Sequence, residues 1–527
     1  MQGLRRAFAV LCVSALVAAC DDGDDGDNGA NGADGADGLN SLVDVRDLPL
    51  GDADCPGGGT VLDSGLDTNR DGVLDAGEVT ATDFLECETA PQLRALHASP
   101  DAPDVNVLVN GAAALTGVAY GAGSGFLPVV EDVRVQVEAI TPGANPIVID
   151  EAFELDFSTD YTVIAVGRVG DPIDELVIAN ASDEEIFPGN ARAQVVHAAP
   201  DAGPVDVYVT APMADLSTAM PVNEGDLLFL GDTGQVEVPE GTYQIRVTEA
   251  GNASNVVFDS GGDVALPAGA DLLIAAIENT GPGASPVSLV VLDGTAAATI
   301  LDVNTPQAVY AVHASPDAPA VDILADVAST AAEEAIVLAA GLDFPDACSI
   351  DAVPAPESFN IDVTAAGDPT TVALPFTFDA QVAGETTAIV TGLLTSTPEI
   401  QLIALPSDTR SVITEAKVRV VHAAAGTASV DVFVLPDGTD FATAAATFGN
   451  VPFTGDSEIQ SLAPGLYDIY VTPAGDKSVV AIEAQDQNLA AGAVLDVIAR
   501  DPDDDGSEGP LPQLIVVDYA AIAACPT

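Results

Sequence analysis

All four histidines of the chain lie in one recurring motif, and its spacing constrains the architecture more than any other feature. The segments are L-R-A-L-H-A-S-P-D-A-P at His97, A-Q-V-V-H-A-A-P-D-A-G at His197, V-Y-A-V-H-A-S-P-D-A-P at His313 and V-R-V-V-H-A-A-A-G-T-A at His422. Successive histidines are 100, 116 and 109 residues apart, and 105 residues follow the last. A period near 100 is too long for a solenoid and fits a whole small domain. The spacing predicts four tandem domains, over residues 91–190, 191–304, 305–414 and 415–527.

Each domain reads as β-structure. Leu93/Ala95, Ala193/Val195, Val309/Ala311 and Val418/Val420 share a face with their histidine, while Arg94, Gln194, Tyr310 and Arg419 take the other. That alternation is the pattern of a half-buried strand. It resumes after the turn in Val105/Val107/Val109, Val205/Val207/Val209 and Val430/Val432/Val434. A further strand signature follows in Val133-x-Val135-x-Val137, Tyr243-x-Ile245-x-Val247, Phe359-x-Ile361-x-Val363 and Tyr467-x-Ile469-x-Val471. About seven short strands per repeat, with no helical period, predict an all-β chain of four immunoglobulin-like sandwiches. The H-A-S-P-D-A-P signature resembles a bacterial domain family of unknown function. The resemblance covers residues 91–527, and the fourth copy departs from it at Ala425-Gly426.

The N-terminus carries an address. Arg5 and Arg6 precede a short apolar run, Ala7 to Leu16, followed by Leu16-Val17-Ala18-Ala19-Cys20. This resembles a bacterial lipobox, which implies a signal peptide over residues 1–19 and lipidation of Cys20. The run is too short to span a bilayer. The expected location is therefore the cell envelope, lipid-anchored at the outer membrane or cell surface. Residues 20–50 then read as the lipidated cysteine and an acidic tether, with glycine at 23, 26, 29, 32, 35 and 38. The rhythm resembles collagen. With no proline at any X or Y position, however, it reads as a flexible spacer.

Fourteen Lys and Arg oppose 82 Asp and Glu, a formal charge of −68. Such a polyanion repels nucleic acid and draws divalent cations. A hydrophobic content of 48% places the acidity on folded domains rather than on a disordered chain.

Residues 51–90 supply a cation site. Asp67, Asn69, Asp71 and Asp75 place oxygens at positions 1, 3, 5 and 9 of a twelve-residue loop, with Gly72 at 6 and Glu78 at 12. This is the EF-hand loop spacing, in which Val73 adds its carbonyl and the glutamate closes the shell of a calcium ion. The glycine-rich approach, Gly57-Gly58-Gly59, excludes an entering helix, so the loop belongs to a small module. Cys55 and Cys87 bracket it and read as a disulfide. Tether, loop and repeats together resemble uncharacterised bacterial surface lipoproteins.

The histidines invite a catalytic reading. Asp101, Asp201 and Asp317 lie four residues after their histidines, but Gly426 stands there in the fourth copy. Asp206, Asp322 and Asp431 lie nine residues on, where the first copy has Asn106. The nucleophile position alternates Ser99, Ala199, Ser315 and Ala424. A triad needs all its members together, so His97, His197, His313 and His422 read as structural residues of a strand-end corner. The expected function is a non-enzymatic, monomeric surface array attached to the membrane by lipid, contacting matrix, glycan or another surface protein, with no nucleic acid partner. A glycan or small-ligand receptor is the alternative, disfavoured by the absence of tryptophan and 5% aromatics; a hydrolase comes third. Asp501-x-Asp503-x-Asp505-Gly506 resembles half a calcium loop, but Pro512 stands where glutamate should close it. Cys348 and Cys525 are left unassigned.

Overall fold

The computed structural model describes residues 38–527 apart from 50–51, 56, 130–131, 172, 183, 328–334, 504–507 and 509. The signal segment, Cys20 and the glycine triplets as far as Gly35 lie outside the described residues. Every named element is a strand. No described helix is long and apolar enough to cross a membrane.

The chain divides into two compact units. The first holds a three-stranded sheet of β1 (Ser41–Leu48), β2 (Gly59–Leu66) and β3 (Val79–Cys87), in that order, with only the last residue of β3, Cys87, assigned to the second unit. Residues 41–48, expected as tether, pair antiparallel with β2 from Ser41↔Leu66 to Leu48↔Gly59. The segment S-L-V-D-V-R-D-L alternates apolar and polar residues, which is the strand period, and Arg46 pairs with Asp63 at 3.1 Å across the ladder.

The second unit comprises residues 49–58 and 87–527 and contains four β-sandwiches. In the first repeat one sheet has the order β11 (Asp174–Ala181), β10 (Thr159–Val166), β4 (Gln92–His97), β7 (Leu127–Pro128). The other has the order β6 (Ala112–Val118), β5 (Val105–Val109), β8 (Asp132–Ala139), β9 (Ile147–Glu154). Leu93 and Ala95 of β4 meet Val107, Val133 and Val135 in the core between the sheets. The histidine strand is parallel to the strand beside it in every copy, aligning His97 with Ala165, His197 with Ala276, His313 with Val390 and His422 with Ala499.

The histidine strands are buried on both faces, not on one. Leu96, Ile164 and Val166 of the first repeat pack against Val196, Leu273 and Val290 of the second. Val312 and Ile389 of the third pack likewise against Val421, Ile498 and Val517 of the fourth. The repeats therefore form two face-to-face pairs. Each fully buried Val, Leu or Ile contributes about 1.5–3 kcal/mol. The polar members of the alternation are buried here too, and each is paired, as burial of a charge demands. Arg94 donates to Thr162 Oγ1 at 2.8 Å and to the Leu292 carbonyl of the second repeat at 3.3 Å, with Phe126 under its guanidinium. Arg419 donates to both carboxylate oxygens of Asp496, at 2.9 and 2.6 Å.

Cys348 of the third repeat is bonded to Cys525 at the end of the fourth. Ala523 O and the Cys525 amide bond to Ser349 beside it, so the chain's tail runs along the edge of the third repeat.

Candidate functional site

Each histidine ends its strand and turns the chain toward the opposite sheet. The Nε2 nitrogens of His97, His197, His313 and His422 lie 3.0, 3.1, 3.1 and 2.7 Å from the carbonyls of Pro103, Gly203, Pro319 and Ala428, six residues on in every case. The Nδ1 nitrogens lie 3.3, 3.4, 3.4 and 3.4 Å from the amides of Ser99, Ala199, Ser315 and Ala424. A carbonyl can only accept and an amide can only donate, so this geometry assigns the neutral Nε2–H tautomer. Burial lowers the pKa of all four, to about 4 for His97. Such an imidazole has both ring nitrogens committed to holding the turn.

The carboxylates raised as catalytic partners bond elsewhere. Asp101 Oδ1 accepts the Val169 amide at 2.9 Å, and Asp317 accepts the Leu394 and Thr395 amides at 2.8 and 3.1 Å. Asp201 reaches the first repeat, where Arg168 donates to it at 2.6 Å. Asp206, Asp322 and Asp431 each accept a glycine amide at 2.8 Å, from Gly251, Gly367 and Gly475. All three glycines have φ between 74° and 78°, a turn conformation that side chains disfavour. Ser99 and Ser315 donate to the carbonyls of Gly167 and Gly392. The motif is thus a corner in which side chains bond backbone.

Sequence reasoning missed the aromatic member of that corner. Tyr120, Phe229, Phe344 and Phe453 meet the imidazoles edge-on, with ring centroids 5.9–6.2 Å apart. Four residues after the aromatic, Ser124, Thr233 and Ser457 accept the backbone amides of Ala95, Val195 and Val420 in the histidine strands. Cys348 occupies that place in the third repeat. The signal was an aromatic followed four residues on by Ser or Thr, 23 to 32 residues after the histidine.

In the first unit, the expected calcium residues come together. Asp67 accepts the amides of Asp71 and Gly72, both at 3.1 Å. Glu78 Oε1 accepts from the Thr68 amide and hydroxyl and from the Asn69 amide, at 2.7, 2.6 and 3.0 Å. The Thr68 hydroxyl and these amides draw the Glu78 pKa down to about 2. Asn69 Nδ2 lies between Asp71 Oδ2 and Asp75 Oδ2, at 3.0 and 2.8 Å. Gly72 takes φ 83°, as the sharp turn of such a loop requires. Cys55 and Cys87 are bonded, in the second unit. At the C-terminal acidic run, Asp501 accepts the Gly426 amide, while Asp505 and Gly506 lie outside the described residues. Asp437, Asp468 and Asp486 form a carboxylate trio that sequence spacing did not reveal.

A family described as a domain of unknown function, DUF4397, matches residues 91–208, 307–433 and 416–520, more than half of the chain. The chain belongs to the DUF4397 family. The first DUF4397 match runs into the second repeat and includes His197, so all four corners lie in matched sequence. A second domain of unknown function, DUF7151, matches residues 40–86. No curated protein matches the chain. Among solved structures, the Bacillus anthracis TIE protein is similar over 89% of this chain and 76% of its own, at 9% identity. Its TM-score of 0.14 is too low to carry an argument.

Proposed function

We propose that this DUF4397 protein is a non-enzymatic lipoprotein of the cell envelope, a structural array for adhesion or matrix contact with a calcium-binding module behind its anchor. One observation carries the reading: the only chemistry-bearing residue that recurs in every repeat spends both ring nitrogens on its own turn. What repetition preserves is the pairing and stiffness of sandwiches. The lipobox resemblance at Cys20 supplies the anchor.

Calcium fits the loop by donor chemistry. Asp67, Asp71, Asp75 and Glu78 offer carboxylates and Val73 a carbonyl, all hard oxygens of the type calcium selects. A half-turn of the Asn69 amide exchanges its nitrogen for its oxygen between the Asp71 and Asp75 carboxylates. The bound ion would cross-link the loop and neutralise part of its charge.

The test is attachment by whole cells. Cells expressing the wild-type chain should adhere to matrix-coated surfaces, and cells expressing Cys20→Ser should shed the protein and lose adherence. Equal adherence by both would sink the reading.

A further inference from the structure

The turn Ser-Pro-Asp-Ala-Pro occurs twice, at 99–103 and 315–319, and the two copies differ in what covers them. In the first repeat the segment joining repeats three and four lies on the turn. Arg410 donates to the carbonyls of Pro100 and Ala102 at 3.2 and 2.8 Å, and the Ile413 amide donates to the Asp101 carbonyl at 3.0 Å. Thr414 closes an apolar hollow of about 80 Å³ beside His97, Pro103 and Val105. The chain thereby binds its own peptide there, and Ala102 is only 3% exposed.

Among the described residues the same surface of the third repeat is more open from Asp317 onward, although Pro316 is buried as Pro100 is. Pro319 is exposed where Pro103 is buried. No described donor bonds the carbonyls of Pro316, Asp317 or Ala318. In place of the small closed hollow lies an open groove of about 580 Å³, lined by Ala318, Pro319, Val321, Val372, Leu394 and Ile400. Val372 and Leu394 are each 41% exposed. The turn itself is held alike in both copies, by its histidine and by the aspartate at its centre. The second and fourth repeats lack this turn sequence.

We propose that the groove at Pro316–Pro319 of the third repeat is a docking site for a peptide that carries an arginine with a β-branched residue four places on. The occupant's chemistry is read from the segment seated on the first repeat: a guanidinium for the two turn carbonyls, an amide for the third, and a branched side chain for the apolar floor. A net charge of −68 favours a guanidinium on the incoming segment. One feature differs between the copies. Arg410 also stands 5.4 Å from the Tyr120 ring, whereas the matching Phe344 ring already carries Arg500, itself paired with Glu508 at 2.6 Å. An incoming arginine therefore relies on the carbonyls. The site extends the proposed surface role to a specific contact and needs neither the lipid nor the calcium.

The probe is a fluorescein-labelled peptide of residues 408–415, with a photo-crosslinker at the Ile413 position, titrated into the intact protein. Saturable binding with crosslinks on residues 316–400 is expected. Arginine-to-alanine in the peptide, or Leu394→Asp in the protein, should each weaken binding about tenfold or more. Leu394 is partly exposed, so the variant should melt with the wild type; Val372→Asp, on the other wall, decides the matter if it does not. Absence of saturation, crosslinks confined to the first repeat, or wild-type affinity in the groove variants would overturn the proposal.

Discussion

Asp501 accepts the backbone amide of Gly426 on both carboxylate oxygens, at 3.1 and 3.0 Å. In the first and third repeats the carboxylate comes from the other side of the same gap, with Asp101 and Asp317 accepting amides of the facing loop. The fourth repeat has moved the acid across the corner and kept the bond. Asp501→Ala should destabilise the fourth repeat by about 0.5–1.5 kcal/mol, the net worth of a hydrogen bond to an amide that water can reach, since Gly426 is exposed. Gly426→Asp alone should also destabilise, because its Cβ would stand 3.0 Å from Asp501 Oδ1. Combined, the two changes should cost less than their sum in a denaturant-unfolding cycle. Strict additivity would refute the exchange.

The corner histidines make stability depend on pH with a defined sign. Burial holds each folded imidazole below its ordinary range, His97 at about 4, while the unfolded chain titrates near 6.5. The stabilisation is complete above about pH 6.5 and is lost as pH falls toward 4, on the order of 3 kcal/mol for His97. The imidazole proton shifts of His97 should stay flat from pH 8 to pH 5, and those of His197, His313 and His422 should titrate below the ordinary range. A single imidazole titrating near 6.5 would contradict the neutral corner.

Pairing changes what an isolated repeat can do. Val196, Leu273 and Val290 of the second repeat are at most 1% exposed because the first repeat covers them. The second repeat expressed alone should aggregate or unfold, whereas residues 91–304 should fold as a pair. Within that pair, His197→Ala should lower the melting temperature by several degrees through an unpaired turn. Val290→Asp should cost more than 3 kcal/mol by burying an unpaired charge. A monomeric, cooperatively folded second repeat would show that the interface is dispensable.

Period-2 alternation and histidine spacing were enough to read four all-β repeats, their order and the corner role of the imidazoles. Alternation could not show that the polar face is also buried. Arg94 and Arg419 look solvent-facing in sequence, and the pairing adds partners from the neighbouring repeat, the Leu292 carbonyl and Thr387 Oγ1. Strand β1 was hidden for a different reason: Ser41–Leu48 follows directly on the glycine triplets, and its acidic residues match the tether. The Cys348–Cys525 bond joins residues 177 apart in different repeats, a distance that no local pattern encodes. That Asp67, Asn69, Asp71, Asp75 and Glu78 converge on one loop was legible because their spacing falls within twelve residues.

Lipidation at Cys20 is checked directly by mass spectrometry. The mature N-terminal peptide should begin at Cys20 and carry acyl chains, and Cys20→Ala should abolish palmitate incorporation. A mature chain that begins elsewhere, or lacks acyl mass, would remove the anchor.

Calcium binding in the first unit should be weak and insensitive to mild acid. Extracellular modules of this loop type bind at about 10⁻⁴–10⁻³ M. Glu78 is held at about 2 by the Thr68 hydroxyl and loop amides. Its depressed pKa keeps the carboxylate ionised above that value, so the ligand is lost only as pH falls toward 2. Calorimetry on the intact protein should therefore show one site with similar affinity at pH 7 and pH 5.5. Glu78→Gln should weaken that site about tenfold or more, since it removes the closing charge and leaves the amides of Thr68 and Asn69 a poorer acceptor. Unchanged affinity in this variant would place the cation elsewhere, with the Asp437, Asp468 and Asp486 trio the first place to look.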